Sequence, residues 1–417
     1  SNEHLKKLKN TNPAFSKLIN LHHNPFNLGG GGNMCHAVKT SAIDTEYNGN
    51  FVLLDSDTIV PFKTLYSSVL ISNSLLDTKS LPEAFAPVII YHTKPTKILE
   101  AGAIFGRGTW NIASAKAVQP CIFPFHQGAD ITDKTVLSRL AESRITDYPP
   151  FVYSLYHLNH RKIEKDLLPA PFFLRGDDVE YGLHLKNKGI CTSVQGYLVV
   201  FQDPKHSPWH EFMAILHSLV ILIAYTEGSE VETLKRNIYL YFTSRLNAHA
   251  SVRDLSGISI YACVLKRILS IQNISSENLH MHFYDPQYYT SIRTLNDGYT
   301  ESNYQLASNM RGRQSVEIFQ ELPFLYFEEF NSEDLLPESI FMMNHLARTA
   351  TVIHPKRTQI SEVDSSRNRY HFDLLKLIEE LTTIKLRCEA LVDRELIMKT
   401  YETYYSQDKN TNNIGKS

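Results

Sequence analysis

The chain has 417 residues, of which 43% are hydrophobic and 21% are charged, a balance typical of a globular protein with about two domains. Lys and Arg together number 42 against 44 for Asp and Glu, so no overall electrostatic field favours nucleic acid as a partner. The longest apolar run, residues 212–225, is shorter than the roughly 20 residues that cross a bilayer, and we predict a buried helix there.

The sequence pattern changes character near residue 228. Before that point the short runs FVLLD, APVIIY and GYLVVF alternate with helical stretches, which is typical of an α/β domain and predicts one over residues 1–228. Beyond it, apolar residues recur at helical spacing with few strand signals. We therefore predict a mostly helical C-terminal domain over residues 229–417.

A run of four consecutive glycines in NPFNLGGGGN precedes a helical pattern. Glycine lets the backbone approach a ligand closely, and the free amides at a helix N-terminus favour phosphate groups. A nucleotide diphosphate could therefore bind at Asn27, Gly30, Gly31 and Asn33. A flexible loop with no function explains the same glycines.

The strand pattern FVLLD ends on two aspartates, Asp55 and Asp57. Carboxylates at the carboxyl end of a strand lie where ligands usually bind in an open α/β domain, and a divalent cation would offset the cost of desolvating them. A solvated turn explains the pair equally well when it is considered alone.

The segment PFFLRGDDVEYG brings Arg175, Asp177, Asp178 and Glu180 together before a predicted helix. Helix capping and the helix dipole account for one acid in a first turn, but not for three. Adjacent carboxylates in a cleft raise each other's pKa, and one of them near an acceptor hydroxyl can take its proton. Two further candidates, His206 and His210, follow the strand GYLVVF, and their pairing is suggestive only.

The order of the motifs NLGGGGN, LLDSDTIVP, EAGAIFGRGTW and PFFLRGDDVEYGLHL, followed by a histidine-bearing loop and an apolar helix, resembles the family 2 glycosyltransferases of the GT-A fold. The likeness covers about residues 20–226 and is strongest with the galactofuranosyltransferase-like branch. It implies an inverting hexosyltransferase of bacterial cell-surface polysaccharide synthesis.

The resemblance also implies a role for each motif. Asp55 and Asp57 would hold Mg or Mn on the donor diphosphate, and Asp178 would be the catalytic base. Asp177 and Glu180 would position acceptor hydroxyls. Two further positions, Glu100 and Trp110, would line the acceptor side, and Tyr148 with Phe151 would offer an aromatic sugar platform.

The sequence departs from the family pattern in two places that bear on the site. Relatives carry a third metal ligand as a histidine at a strand end, where this chain has Gln202. Either His206 or His210 takes that role, or the metal has two protein carboxylates only. The first strands of the family, which bind the nucleobase, are missing or short here, so we expect either a longer chain or a partner that supplies them.

Three functions remain open from the sequence. The first is transfer of galactofuranose or another hexose from a UDP-linked donor to a glycan or lipid-linked acceptor, at the cytoplasmic side of the inner membrane. The second is a weakly active or inactive glycan-binding scaffold subunit, and the third is a nucleotidyltransferase on a related sheet. Scattered cysteines without CxxC spacing fit a cytoplasmic setting, and the apolar stripes of the helical domain fit peripheral membrane binding or a homo-oligomer interface.

Overall fold

The computed structural model describes residues 28–43, 50–76, 83–105, 121–122, 128–142, 144–157, 167–203, 208–251, 255–272, 274–283, 340–344, 349–353 and 360–406. Within these residues a mixed α/β sheet comes first and helices prevail after residue 228, as the sequence predicts. The GT-A identity of the fold stays a prediction.

The N-terminal part builds the main sheet and the helices that flank it. Its elements are, in chain order, α1 (Gly29–Val38), β1 (Phe51–Leu54), α2 (Phe62–Leu76), β2 (Glu83–Ile90), β3 (Ile98–Glu100), β4 (Ile104–Phe105), β5 (Cys121–Ile122), α3 (Lys134–Ala141), β6 (Arg144–Thr146), β7 (Tyr153–His157), α4 (Asp177–Asn187), β8 (Cys191–Phe201) and α5 (Pro208–Tyr225).

Among its described residues, the C-terminal part is helical apart from one antiparallel β-hairpin, which the sequence pattern did not indicate. Its elements are α6 (Val231–Ser251), α7 (Leu255–Leu269), α8 (Leu279–Phe283), the hairpin strands β9 (Ile340–Asn344) and β10 (Thr349–Ile353), and then α9 (Ile360–Glu379), α10 (Leu381–Leu391) and α11 (Arg394–Ser406).

The strand directions bring several strand ends to one edge of the main sheet. The strand order is β1-β7-β2-β8-β6, and β3 pairs with β2 on a side branch. Strand β7 is antiparallel to β1 and β2, whereas β2 and β8 are parallel. Strands β1, β2 and β8 therefore end at the edge where β7 begins. This edge is where ligands usually bind in open α/β sheets, and we call it the site edge.

One continuous hydrophobic core crosses the predicted domain boundary at residue 228. It extends from Leu53 in β1 to Tyr401 in α11, and α5 contacts both α7 and α10 within it. Helix α5 is apolar on nearly every side, with Phe212, Leu219 and Ile223 all buried, which is the pattern of a core helix. The prediction of a buried helix at residues 212–225 is confirmed.

Among the described residues, no helix taken singly is long and apolar enough to cross a membrane. The helices Trp209–Tyr225 and Gly228–Thr243 meet that standard only as a pair, and a bend of 117° separates them.

The packing of α4 against the segment that precedes β7 depends on Gly182. A Cβ atom at Gly182 would lie 2.1 Å from the Cβ of Tyr148 and 2.4 Å from its Cα. We expect Gly182→Ala to lower the free energy of unfolding by about 1–3 kcal/mol, as overpacked cores do, although alanine is the better helix former. Denaturant unfolding measures the change.

The matched control for that prediction is Gly228→Ala, because a Cβ at Gly228 meets nothing within 4 Å. Its free energy of unfolding should stay close to that of the unmodified chain. Equal stabilities for the two variants would contradict the close contact between Gly182 and Tyr148.

Candidate active site

Asp55 and Asp57 lie in the exposed turn that follows β1, at the site edge. The backbone amide of Asp55 donates to the carbonyl of Val152, just before β7, at 3.3 Å. Ile59 exchanges two hydrogen bonds of 3.0 Å with Phe201 at the end of β8. Neighbouring strand ends therefore hold the turn on both sides and fix where its two carboxylates lie.

Gln202 follows β8 and reaches both carboxylates of this turn. Its Nε2 donates to Oδ1 of Asp57 at 2.8 Å and to Oδ2 of Asp55 at 3.4 Å, while its backbone amide donates to the carbonyl of Ile90 at 3.0 Å. The residue at the position of the expected histidine is thus directed at the aspartate pair. A half-turn of its terminal amide would present Oε1 instead, because the two ends of a glutamine amide have the same shape.

His210, one of the two candidate histidines, does not form a metal-binding group with these aspartates. Among the described residues, no three His, Cys, Asp or Glu side chains are grouped so that they could hold a metal ion, which argues against His210 as the third ligand. His206 lies outside the described residues, as do Asn27 and Trp110. Gln202 is therefore the side chain that the structure places beside the pair.

A left-handed turn sets the start of α4. Arg175 has φ 63° and Gly176 has φ 82°, and the left-handed conformation is strained for a residue other than glycine. His217 of α5 holds this turn, since its Nδ1 donates to the carbonyls of Leu174 at 2.8 Å and Arg175 at 2.7 Å. His217 lies within the apolar run of residues 212–225, whose pattern gives no sign of this contact.

Burial determines the protonation state of His217. The ring is fully buried, and desolvation lowers its pKa to about 4. It is therefore neutral at pH 7, with the Nδ1 proton assigned by its two carbonyl partners. A neutral donor stabilises the turn without placing a second positive charge beside Arg175.

The acids Asp177 and Asp178 occupy the first turn of α4, as predicted. The carboxylate of Asp178 accepts hydrogen bonds from the backbone amides of Val179, at 2.8 Å, and of Phe151. Phe151 directly precedes Val152, whose carbonyl binds the amide of Asp55. The segment of Phe151 and Val152 therefore holds two acid groups at the site edge, the pair of Asp55 and Asp57 and the pair of Asp177 and Asp178.

The protonation of these two acids is coupled. Burial, together with the charges of Asp178 and Asp55, raises the pKa of Asp177 to about 8. Burial also raises the pKa of Asp178, to about 6, while its backbone hydrogen bonds and the charge of Arg175 lower it. The effect of Asp55 on Asp177 indicates that the two acid groups share one electrostatic environment.

Glu100, at the end of β3, belongs to the same environment. Burial raises its pKa to about 8, the charge of Asp178 adds to that shift, and Arg175 and a hydrogen bond with Tyr148 oppose it. Tyr148 and Phe151 are 4% and 6% exposed, so they are core aromatics rather than the predicted sugar platform. Buried ring faces cannot stack on a substrate.

The glycine run lies inside the first turns of α1 and not in a loop ahead of it. The amide of Gly30 donates to the carbonyl of Phe173 at 2.8 Å, and that of Gly31 to the carbonyl of Phe172 at 3.0 Å. These two amides are therefore already used, which corrects the prediction that they bind phosphate. Gly30 and Asn33 stay exposed on one face of α1, and a Cβ at Gly30 would lie 3.0 Å from Oδ2 of Asp177.

Glu180 does not fit its predicted role of positioning an acceptor. Its side chain is fully buried and accepts hydrogen bonds from Arg394, from Tyr225 at 2.6 Å and from the amide of Ala170 at 3.3 Å. Both carboxylate oxygens have protein partners, so neither is left for a substrate hydroxyl.

A scan against protein-family models matches none of them to this chain, and a search of curated proteins finds none with significant similarity.

Asp177→Asn should stabilise the protein, and more so at high pH. The folded-state pKa of Asp177 is raised, so the folded protein binds a proton that the unfolded chain loses near pH 4, and stability falls as pH rises from about 4 to about 8. Asparagine removes this cost, and we expect a gain of order 1 kcal/mol at pH 8 and little gain at pH 4. Denaturant unfolding at the two pH values measures it.

Asp130→Asn provides a control of opposite sign. Hydrogen bonds from Lys97 and Thr132 hold the pKa of Asp130 below its usual range, so its carboxylate stabilises the folded state above pH 4. Compared with the unmodified protein, Asp130→Asn should be less stable at pH 8, and the difference in stability should be smaller at pH 2. A loss of stability in Asp177→Asn at pH 8 would contradict the raised pKa of Asp177.

Proposed function

We propose that the protein is an inverting, metal-dependent glycosyltransferase. It would move galactofuranose or another hexose from a nucleotide diphosphate donor to a hydroxyl of a glycan or lipid-linked acceptor. The observation that carries the proposal is the convergence of Asp55, Asp57 and Gln202 with Asp177 and Asp178 at one sheet edge.

The residues present fit a divalent ion such as Mg or Mn. The side chain of Gln202 already contacts those of Asp55 and Asp57, and carboxylate and amide oxygens are the ligands these ions prefer. The turn is exposed, so water and the donor diphosphate could supply the remaining ligands. When bound there, the ion would neutralise the charge that grows on the leaving diphosphate.

Asp178 is the side chain best suited to be the base. Because its pKa is about 6, it is ionised at pH 7, whereas Asp177, with a pKa of about 8, keeps its proton. The acceptor hydroxyl would lose its proton to Asp178 as its oxygen bonds to the anomeric carbon. The bond from that carbon to the diphosphate breaks on the opposite face, and the configuration inverts.

The groups around Asp178 support this assignment. The charge of Arg175 lowers the pKa of Asp178 and so keeps it ionised. Glu100, with a pKa of about 8, is mostly protonated at pH 7 and could donate a hydrogen bond to an acceptor oxygen. Gly30 and Asn33 are exposed on the face of α1 that lies beside Asp177, where a bound sugar could contact them.

Partners and compartment follow from the resemblance and remain part of the proposal. The donor would be UDP-linked, and the acceptor a growing or lipid-linked glycan. Such an acceptor places the enzyme at the cytoplasmic face of the inner membrane, bound peripherally. Nucleic acid is not expected as a partner, because the net charge of −2 offers no basic field.

Incubation with a panel of nucleotide sugars and Mn, with and without chelator, tests the proposed reaction. We expect release of nucleoside diphosphate from at least one donor and its loss with chelator. Asp178→Asn should retain donor binding but lower transfer by about 100-fold or more, because the proton acceptor is removed. Glu232→Gln, at an exposed position of α6, is the control and should leave transfer unchanged.

Two outcomes would contradict parts of this proposal. Transfer by Asp178→Asn at the unmodified rate would exclude Asp178 as the base. Donor binding that the chelator does not affect, with no release from any donor, would instead support a non-catalytic glycan-binding subunit.

Substitutions of Gln202 test the metal site separately. Gln202→Met has a similar size but lacks an oxygen ligand, so Mn affinity in the presence of UDP should fall roughly tenfold, or about 1.4 kcal/mol. Gln202→Glu keeps an oxygen and adds a negative charge, so affinity should rise. Titration followed by the paramagnetic resonance of free Mn measures both, and unchanged affinity in Gln202→Met would exclude Gln202 as a ligand.

A further inference from the structure

Helix α11, near the end of the chain, contacts both helices that carry the candidate site. Nη2 of Arg394 donates to Oε1 and Oε2 of Glu180 at 2.9 Å and 3.0 Å, across 214 positions of sequence. The hydroxyl of Tyr401 donates to the carbonyl of Gly32 in α1 at 3.0 Å, across 369 positions. One C-terminal helix thus holds the first turns of α4 and α1.

The ion pair between Arg394 and Glu180 is deeply buried. Their side chains are 7% and 0% exposed, and Tyr225 donates to the same Oε1 of Glu180 at 2.6 Å. A buried pair gives little net stability relative to apolar residues of the same size, because desolvation offsets the attraction. What such a pair supplies is a fixed orientation of the Glu180 carboxylate, which accepts hydrogen bonds from Arg394, Tyr225 and the amide of Ala170.

That orientation bears on the two catalytic candidates. Glu180 lies in the first turn of α4 together with Asp177 and Asp178, so fixing its carboxylate fixes the rotation of the turn. On the other side, Tyr401 anchors α1 at Gly32, two residues after Gly30, which faces Asp177. Any shift of α11 would therefore move the acid pair relative to α1.

We propose that α11 is a positioning element of the active site. Arg394 acts through Glu180 to set the orientation of Asp177 and Asp178, and Tyr401 sets the position of α1 against them. The catalytic part of this inference rests on the proposed function. It makes the end of the helical C-terminal region a component of the catalytic unit, beyond the predicted roles in oligomerisation or docking.

The test removes the contacts that Arg394 and Tyr401 make with α4 and α1 while keeping the fold. The double variant Glu180→Leu with Arg394→Met replaces the buried pair by apolar side chains of similar size. Tyr401→Phe removes one hydroxyl and leaves the ring. Lys385→Met, which breaks the partly buried i,i+4 pair with Glu389 in α10, is the control. For each full-length variant we would measure thermal unfolding, amide hydrogen exchange over residues 29–35 and 177–183, and kcat and KM for donor turnover.

The double variant should keep an unfolding temperature within a few degrees of the unmodified protein. Its amides over residues 177–183 should exchange about tenfold faster, and kcat should fall about tenfold with donor KM changed less than twofold. Tyr401→Phe should show faster exchange over residues 29–35 and a smaller fall in kcat. Lys385→Met should change none of these.

Several outcomes would overturn the proposal. A folded double variant with normal exchange and normal kcat excludes positioning by Arg394. If the double variant does not fold, Tyr401→Phe becomes the deciding variant. Normal exchange over residues 29–35 together with normal kcat in that variant excludes positioning of the site by α11. Should the unmodified protein turn over no donor, the proposed function fails, and the exchange measurements alone then support or exclude the positioning role.

Discussion

The cost of desolvating carboxylates at one sheet edge is the constraint on which the rest of this structure depends. Desolvation raises the pKa values of Asp177, Asp178 and Glu100, and the charge of Asp178 adds to the shifts of Asp177 and Glu100. A desolvated carboxylate is stable only with a proton, a hydrogen-bond donor or a cation. The surrounding residues supply these partners one by one.

The partners come from different elements. Gln202 donates to the exposed pair, the amides of Phe151 and Val179 donate to Asp178, and Arg175 provides a positive charge. The position of Arg175 itself requires a left-handed backbone, which the buried, neutral His217 holds in place. Strain and raised pKa values thus occur together in one place, as they do at functional sites, where stability is lower than the fold could otherwise reach.

The helical C-terminal region belongs to this arrangement. Its core is continuous with that of the sheet domain, and α11 contacts α1 and α4 through Tyr401 and Arg394. The sheet fixes the positions of the strand ends but not those of the N-termini of α1 and α4. A third element must therefore hold these two helices in place relative to each other. In this chain α11, which lies more than 200 positions later in sequence than Glu180, holds them.

The sequence by itself determined the parts of the protein that depend on local pattern. The strand that ends on Asp55, the helix that begins at Asp177, the buried helix over residues 212–225 and the strand end at Gln202 follow from apolar periodicity and from turn and cap residues. The gathering of Asp55 and Asp178 in one site was implied by the resemblance to the family 2 glycosyltransferases and not by any local pattern. Only the tertiary structure decided the roles of Glu180, the glycine amides, His217 and Arg394. Three adjacent acids look alike in a sequence, and whether each one meets water, a ligand or a buried arginine depends on contacts between residues far apart in the chain, which carry no local signal.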